Sequence, residues 1–312
     1  GSIGILASAA GTGTSTVTVS NSVTGIGGTA IQFAGAGNTL ALQAGYFITG
    51  NALGAGSDTL QLGGAANATF DSGTIGAGLQ YQGFTTFNKN GASTWTLIGS
   101  GNQAWGVQSG TLLVNGTSGD MTVGPAGILG GTGTVGNTAI NGGTLAPGAP
   151  PGNLFGPLTV QGSLSFTAAS TYLIRVSSAD AGRTNVTGVA TLGDATVNAA
   201  FLPGTNVNKQ YVIVNAAGGI NGTFNPAVTS NQANIQSTLS YDANNVFLNI
   251  ALVYAAPPGG LSINQQNVAT ALTNFFNTTG SIPAAFASLG PAGLTQASGE
   301  VATGSQQTTF DA

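Results

Sequence analysis

The sequence predicts an all-β fold, a parallel β-helix with a C-terminal β cap and a short α-helical tail. Three observations predict it: short runs alternate apolar with polar residues, one run recurs after 20 residues, and glycine is abundant. Glycine supplies 52 of the 312 residues, more than double its ordinary share of about 7%. Hydrophobic residues make up 41% and charged residues 4%, which is not the composition of a disordered chain.

The first half of the chain consists of short β-type runs separated by Gly and Asn. Alternation with period two places one face of a strand in a core and the other in water. The links hold few residues, and we expect no helix before residue 155. The clearest runs are TVTVS (16–20), AIQFAG (30–35), NTLALQ (38–43), YFITG (46–50), DTLQLG (58–63), FTTFNK (84–89) and TWTLIG (94–99).

The repeat is GAGNTLAL (35–42), which returns as GAGSDTLQL (54–62). About twenty residues is one coil of a parallel β-helix, in which each coil stacks on the last and buries an apolar ladder. Gly and Asn supply the positive φ that sharp corners need. The same rhythm continues through GTLLVNG (110–116), GILGGTGTV (127–135) and LTVQGSLSF (158–166). We therefore predict a β-helical stalk over residues 1–156.

From 157 to 256 the runs are longer and more aromatic, with polar turns such as DANN (242–245). Hairpins there would cap the open end of the solenoid, whose unpaired edge invites aggregation. After Pro257-Pro258 the pattern changes to a tail, 257–312. Ser262 is placed to cap a helix over 263–279. The apolar residues expected on one face of that helix are Ile263, Val268, Leu272, Phe275 and Phe276.

Composition excludes several classes of function. Cys and His are both absent, which removes disulfides, thiolate catalysis, Ser-His-Asp triads and the common zinc sites. The only basic residues are Lys89, Arg175, Arg183 and Lys209. These are too few and too scattered to follow a phosphate backbone, so we expect no nucleic-acid partner.

A literal G-x-G-x-x-G occurs at Gly131, Gly133 and Gly136. A dinucleotide site needs a helix directly after this motif and an acidic residue about 20 positions on. NTAINGGTLAPG (137–148) follows instead, and GNLFGPL (152–158) stands where the acid is needed. We interpret these glycines as corner residues and expect no cofactor.

Asp58 is the one candidate metal ligand. LGAGSDTLQ (53–61) nearly matches the calcium-binding nonapeptide of β-helices, with Asp58 in the acidic position. Calcium needs six or more oxygens, which such folds collect from successive turns. The related stretch 35–42 has no Asp. We therefore expect Asp58 to serve a β-helix corner and no metal to be bound.

Paired carboxylates could hydrolyse or eliminate on a polysaccharide. No two acids occupy matching positions one coil apart in the repeat that can be aligned, so we expect no catalytic residues. Arg175, Arg183 and Asp180 lie close in sequence and are expected to form a surface salt bridge. The eight acids are Asp58, Asp71, Asp120, Asp180, Asp194, Asp242, Glu300 and Asp311.

Two features could serve a binding surface. The Thr-x-Thr of TSTVTVS (14–20) resembles an ice- or glycan-binding face, but such a face needs a ladder of these residues, and one copy is clear. Trp95 and Trp105 could stack on a sugar, although core packing is the commoner use of Trp.

Three segments carry a resemblance to the passenger domain of bacterial type V autotransporters. The first, 84–117, is similar to the passenger-associated repeat. The second, 127–154 into 158–166, is similar to the last solenoid coils of that family. The third, 298–312, resembles the lead into the translocator barrel. The matching residues of the first are Phe84, Phe87, Lys89, Gly91, Trp95, Thr96, Leu97, Gly110, Thr111, Leu112, Val114 and Asn115.

The resemblance implies a right-handed β-helix exported through the periplasm to the bacterial cell surface, with an autochaperone-like region at 157–256. It implies a segment that lacks its signal peptide and barrel. The implied partners are that barrel, the outer-membrane assembly machinery and a host or biofilm surface ligand.

We therefore expect a non-enzymatic stalk or adhesin-type segment whose C-terminal cap promotes folding during secretion. Two alternatives remain open. A glycan-binding module predicts an exposed row of aromatic or Asn/Thr side chains along one face. A carbohydrate-active enzyme predicts two carboxylates within about 10 Å of each other in a groove.

Overall fold

The structure is a computed structural model that describes residues 2–8, 13–177, 180–202 and 206–299. β-Strands dominate it, and the helices lie at the C-terminal end. The third segment of the resemblance, from residue 300 onward, and the acids Glu300 and Asp311 lie outside the described residues. No helix among the described residues is long and apolar enough to span a membrane.

The strands of the first half are short, except where two faces of a coil share one continuous strand. A single 3₁₀ turn, Ser72–Thr74, interrupts them. They are β1 (Ile5–Ser8), β2 (Thr16–Val19), β3 (Ser22–Ala34), β4 (Thr39–Leu42), β5 (Phe47–Leu62), β6 (Ala68–Asp71), β7 (Tyr81–Lys89), β8 (Thr94–Ile98), β9 (Trp105–Val114), β10 (Met121–Gly131), β11 (Thr134–Val135), β12 (Thr138–Ile140) and β13 (Thr144–Pro147).

The second half adds thirteen more strands and three helices. The strands are β14 (Leu158–Val160), β15 (Leu164–Phe166), β16 (Thr171–Val176), β17 (Thr184–Val186), β18 (Ala190–Thr191), β19 (Thr196–Phe201), β20 (Asn206–Asn208), β21 (Gln210–Ala216), β22 (Ile220–Asn221), β23 (Thr229–Ser230), β24 (Ile235–Tyr241), β25 (Asn245–Leu252) and β26 (Ser281–Pro283). The helices are α1 (Ile263–Thr279), α2 (Ala284–Ala287) and α3 (Pro291–Ala297).

Parallel pairing arranges most of these strands in three columns, here called faces A, B and C, and pairs β1 with β3 and β3 with β5 near the N-terminus. Face A runs from β2 through β4, β5, β7, β9, β10, β12, β15 and β18 to β22. Face B runs from β6 through β8, β9, β10, β13, β16 and β19 to β23. Face C stacks β11, β14, β17 and β21. The predicted parallel β-helix solenoid is confirmed.

The interior is a set of apolar ladders that follow this register. On face B, each step joins fully buried side chains from adjacent coils, because period-two alternation turns every second residue inward. This ladder comprises Trp95, Leu112, Leu129, Leu145, Tyr172 and Val197. On face A, Leu40 pairs with Leu60 and Leu42 with Leu62. The 20-residue repeat is therefore one coil, as predicted.

The solenoid extends further than the sequence pattern indicated. Parallel pairs cross residue 156 on all three faces, and Ala199 pairs with Ser230 on face B. Antiparallel pairing of named strands joins β25 to β21, β24 to β25 and β20 to β26. Within the region 157–256, the hairpin predicted around DANN is thus β24–β25, whereas the strands before it continue the parallel coils.

The tail packs against the C-terminal part of the chain, where β26 pairs with β20. Helix α1 begins with the predicted cap: the Ser262 hydroxyl accepts from the Gln265 amide, and Gln265 Oε1 accepts from the Ser262 amide. Its buried residues are Ala269 and Phe276. The expected apolar face is wrong at two positions: Ile263 is 73% and Phe275 52% exposed. Only part of the helix is covered, because α1 packs against the short elements α3 and β26.

Candidate functional site

Asp58 lies inside a corner of the β-helix. Its Oδ1 accepts from the Asn38 amide at 2.7 Å and from Asn38 Nδ2 at 3.2 Å, and its Oδ2 accepts from the Ala55 amide at 2.6 Å. The side chain is fully buried. Among the described residues, no three acidic side chains come close enough to hold a metal ion. Both carboxylate oxygens of Asp58 therefore serve the chain's own backbone at this corner.

The G-x-G-x-x-G glycines touch the coil that precedes them. Gly131 has φ +112°, in the region that favours glycine. Gly133 and Gly136 have no positive φ, which corrects the interpretation that all three supply corner conformations. A Cβ at Gly133 would clash with the carbonyl oxygen of Gly116, and one at Gly136 with Asp120 Oδ1. These two glycines are needed because adjacent coils approach closely.

Both tryptophans belong to the core. Trp95 and Trp105 are fully buried, so neither offers a ring to a ligand. Trp95 Nε1 donates to the Gly63 carbonyl at 3.0 Å. Trp105 packs edge-on to Phe70 and at a tilt to Phe87, with ring centroids 6.2 and 5.4 Å away, and its Nε1 has no hydrogen-bond partner among the described residues. The expectation of core packing is confirmed.

Three other described acids accept hydrogen bonds from backbone amides. Asp71 Oδ1 accepts from the Gly73 amide at 2.9 Å, and Asp120 Oδ1 from the Asn137 amide at 2.8 Å. Asp242 holds the DANN turn through the Asn244 and Asn245 amides. Hydrogen bonds from the Asn245 side chain are the largest cause that holds the pKa of Asp242 below its usual value.

The salt bridge expected among Arg175, Arg183 and Asp180 does not form. In the described part of the chain, no arginine or lysine nitrogen lies within 4.0 Å of a carboxylate oxygen. Arg175 is half-buried on face B and points toward the Pro147 carbonyl at 3.5 Å, and burial lowers the pKa of its guanidinium. Alternation along the chain places Arg183 on face C, so the two arginines serve different surfaces.

Lys89 is a buried cation whose role sequence reasoning missed. Its side chain occupies an inward position between Leu62 and Val107 in an apolar ladder of face A. The ammonium donates to the carbonyls of Asn90, Gly91 and Ser109 at 3.0, 2.7 and 3.0 Å. Burial lowers its pKa to about 8.

The motif around Lys89 makes room for this ammonium. A Cβ at Gly110 would lie 2.7 Å from Lys89 Nζ. The Lys-x-Gly and Gly-Thr-Leu parts of the matched segment 84–117 therefore meet at one corner. The signal in the sequence was a lysine placed two residues after an inward phenylalanine, Phe87, in a strand of period two.

Two outward ladders, made mostly of Thr and Asn, run along the solenoid. That on face B follows exact register pairs and consists of Thr94, Thr111, Ile128, Thr144, Thr171 and Thr196. That on face C consists of Thr117, Thr134, Thr159, Asn185, Asn215 and Asn245. The single Thr-x-Thr copy seen in the sequence understated this, because the steps between members vary in length.

Face C also bears two adjoining depressions, here called the Phe155 hollow and the Asn185 hollow. The Phe155 hollow has a volume of about 500 Å³ and is lined chiefly by Asn153, Phe155, Asp180, Arg183 and Gln210. The Asn185 hollow has a volume of about 520 Å³. Its polar lining is formed by Arg183, Asn185, Thr187, Asn215 and Asn245. Because Arg183 and Val212 line both hollows, the two hollows adjoin and form one continuous surface.

A smaller groove of about 250 Å³ lies on face B. The Thr94–Thr111 ladder forms one side, and Leu113, Gly130 and Ala146 form the other. Pro150 and Arg175 complete its lining. This groove is smaller than the usual range of about 300–1,000 Å³ for ligand pockets, and the larger polar surface of face C is the better candidate site.

No protein-family model matches the chain, and no curated protein matches its sequence.

Proposed function

We propose that this chain is a non-enzymatic stalk segment of an autotransporter-type surface protein. In this proposal its C-terminal region, 157–256 with the docked tail, promotes folding during secretion. The observation that carries the proposal is the asymmetry of pairing. Parallel coils stack on all three faces, and at the C-terminal end β25 pairs antiparallel with both β21 and β24.

Physical properties of such an array support the folding role. Each coil contacts only its neighbours, so folding can begin at one stable unit and propagate coil by coil. Buried hydrogen bonds and aromatic contacts make the C-terminal coils suitable as that stable unit. Tyr172 Oη donates to the Ile213 carbonyl at 2.6 Å and bonds Thr184 Oγ1 at 2.9 Å, which links three strands. Phe166 and Phe224 pack against the Tyr172 ring at 5.6 Å each.

The tail adds contacts that hold this end closed. Lys209 Nζ donates to the Asn277 carbonyl at 2.7 Å, and Asn234 Nδ2 to the Leu289 carbonyl at 2.7 Å. Tyr254 Oη donates to the Phe286 carbonyl at 2.8 Å. Strand β26 pairs with β20. In the proposal, these contacts complete the nucleus outside the cell and disfavour return of the chain through the membrane.

Hydrogen exchange on the full chain tests the folding role. We expect the slowest-exchanging amides to lie between β14 and β25, because the most stable unit exchanges only on global unfolding. Slowest exchange within residues 16–130 would contradict the proposed nucleus. Surface location is a separate matter: protease added to intact cells that express the parent gene should digest this segment, and full protection would contradict export.

The glycan-binding alternative has one observation in its favour. It predicts an exposed row of Asn or Thr side chains along one face, and the face C ladder is a row of such residues in which Thr117 and Asn215 are exposed and the others partly buried. The enzyme alternative needs two carboxylates in a groove, and Asp180 is the one acid that lines either hollow of face C. A binding surface on a stalk is therefore the second candidate.

A further inference from the structure

Arg183 occupies the junction of the two hollows on face C. Its side chain is exposed, it lines both depressions, and no described carboxylate lies within 4.0 Å of it. Asn185, two residues on, projects on the same side of β17, and its side chain makes no hydrogen bond to the described residues. Unpaired donors thus converge at the centre of the surface.

The neighbouring side chains are already held in place. Asn215 Nδ2 donates to Asn245 Oδ1 at 2.7 Å, and Asn245 Nδ2 donates to both Asp242 oxygens at 3.0 Å. Gln210 Nε2 donates to Asn249 Oδ1 at 2.7 Å. Because these amides are held by one another, a ligand that binds them costs little further side-chain entropy.

Phe155 supplies an aromatic ring to the surface. Its ring lines the Phe155 hollow, is partly exposed and lies outside the buried core cluster. A ligand that suits this surface must therefore present an apolar face, many hydroxyl groups and a planar anion for a guanidinium. Sugar rings have C–H faces and hydroxyls, and a carboxylate matches the fork of an arginine.

We infer that face C binds a polysaccharide strand whose sugars carry carboxylates. One sugar stacks on Phe155, with Asp180 accepting from its hydroxyl groups. Its carboxylate pairs with Arg183 at the junction, and the next sugar lies against Asn185 and Asn215. The two hollows together, about 500 and 520 Å³, suit a short run of sugars rather than a single one.

The single arginine on this surface favours this ligand over nucleic acid. The chain has a net charge of −4, and Arg183 is the one basic side chain that lines this surface. Nucleic acid needs many phosphate contacts, whereas a uronic-acid sugar at the junction needs one. The inference goes beyond the proposed stalk function and does not depend on it, since it concerns binding by the folded chain.

Titration calorimetry of the full chain with tetragalacturonate tests the inference. Its methyl ester is the matched control, because it keeps the sugars and removes the charge. We expect measurable binding of the acid form, and binding of the ester weaker by about tenfold or more, since one charge-assisted contact carries that much. Absence of binding by the acid form, or equal binding of both forms, would overturn the inference.

Two arginine variants locate the site. Arg183→Gln should weaken binding of tetragalacturonate by about tenfold or more, whereas Arg175→Gln, on face B, should leave it unchanged. Both should retain the parent circular dichroism spectrum, because neither side chain is in the core. Equal loss in both variants, or no loss in Arg183→Gln, would contradict a site on face C. Neither outcome bears on the hydrogen-exchange test of folding.

Discussion

The parallel coils and the antiparallel C-terminal end use similar residues for opposite purposes. The coils must pair with a further coil on each side, whereas the C-terminal end must stop the stacking. A parallel coil pairs with a neighbour on each side, so the backbone N–H and C=O groups of its strands must be available to the next coil. At the C-terminal end, β25 reverses direction against β21, and β24 reverses again. The burial of β24 alternates only loosely, with its last residue exposed. Reversal of strand direction therefore marks where stacking ends, although Val, Leu and Ile supply inward residues in both regions.

Equivalent leucine-to-alanine substitutions in the two regions should have the largest effects and should differ in their kinetics. Leu60 in the coils and Leu248 in β25 are both fully buried. Each change to Ala should lower the free energy of unfolding by about 2–5 kcal/mol. If the C-terminal end nucleates folding, Leu248→Ala should slow refolding, and Leu60→Ala should chiefly speed unfolding. Stopped-flow refolding after dilution from denaturant measures both rates, and the reverse pattern would contradict nucleation at this end.

A buried corner can be compared with an exposed turn. Asp58→Ala leaves the Asn38 and Ala55 amides without their acceptor and should cost about 3 kcal/mol. Asp71→Ala removes one exposed capping bond and should cost about 1 kcal/mol. Urea unfolding followed by circular dichroism gives both values. Millimolar calcium should not shift the midpoint of the parent chain, and a clear increase would revive a metal site at Asp58.

The buried lysine makes the coils sensitive to pH. Its folded pKa of about 8 lies below the ordinary 10.5, so the unfolded chain binds more protons between these values. Stability should therefore be lowest below pH 8 and rise by about 2 kcal/mol toward pH 10. Above pH 10 the buried tyrosines, whose pKa values are raised by burial, reverse the trend. Lys89→Met should abolish the rise; an unchanged pH profile in this variant would contradict the assignment to Lys89.

The smallest expected difference separates the two core tryptophans. Trp95→Phe loses a hydrogen bond to the Gly63 carbonyl and leaves that carbonyl short of a donor, while Trp105→Phe loses no hydrogen bond. We expect Trp95→Phe to be the more destabilising by about 1 kcal/mol. Thermal and urea unfolding of the pair test this, and equal losses would show that ring packing alone decides.

The sequence was sufficient for features that depend on local pattern. The helix over 263–279 follows from its cap and spacing, and the coil at 35–62 follows from a direct repeat. The extent of the solenoid was harder to predict. Strands such as β16 alternate in the same way whether their partner is parallel or antiparallel, so alternation could not show that the coils continue past residue 157.

The outward ladders could not be predicted from the sequence, because the spacing between paired residues varies along the chain. Trp105 pairs with Met121, 16 residues on, whereas Ala190 pairs with Ile220, 30 residues on. Loops at the corners absorb the difference, so residues that stack in space have no fixed spacing in the chain. The site on face C depends on that register and on the position of Arg183, and neither can be read from a short motif.

The lack of ion pairs among the described residues has a consequence for the surroundings in which the protein can work. Dissolved salt weakens attraction between surface charges but leaves buried apolar ladders and backbone bonds largely intact. We therefore expect the stability of this fold to depend little on ionic strength.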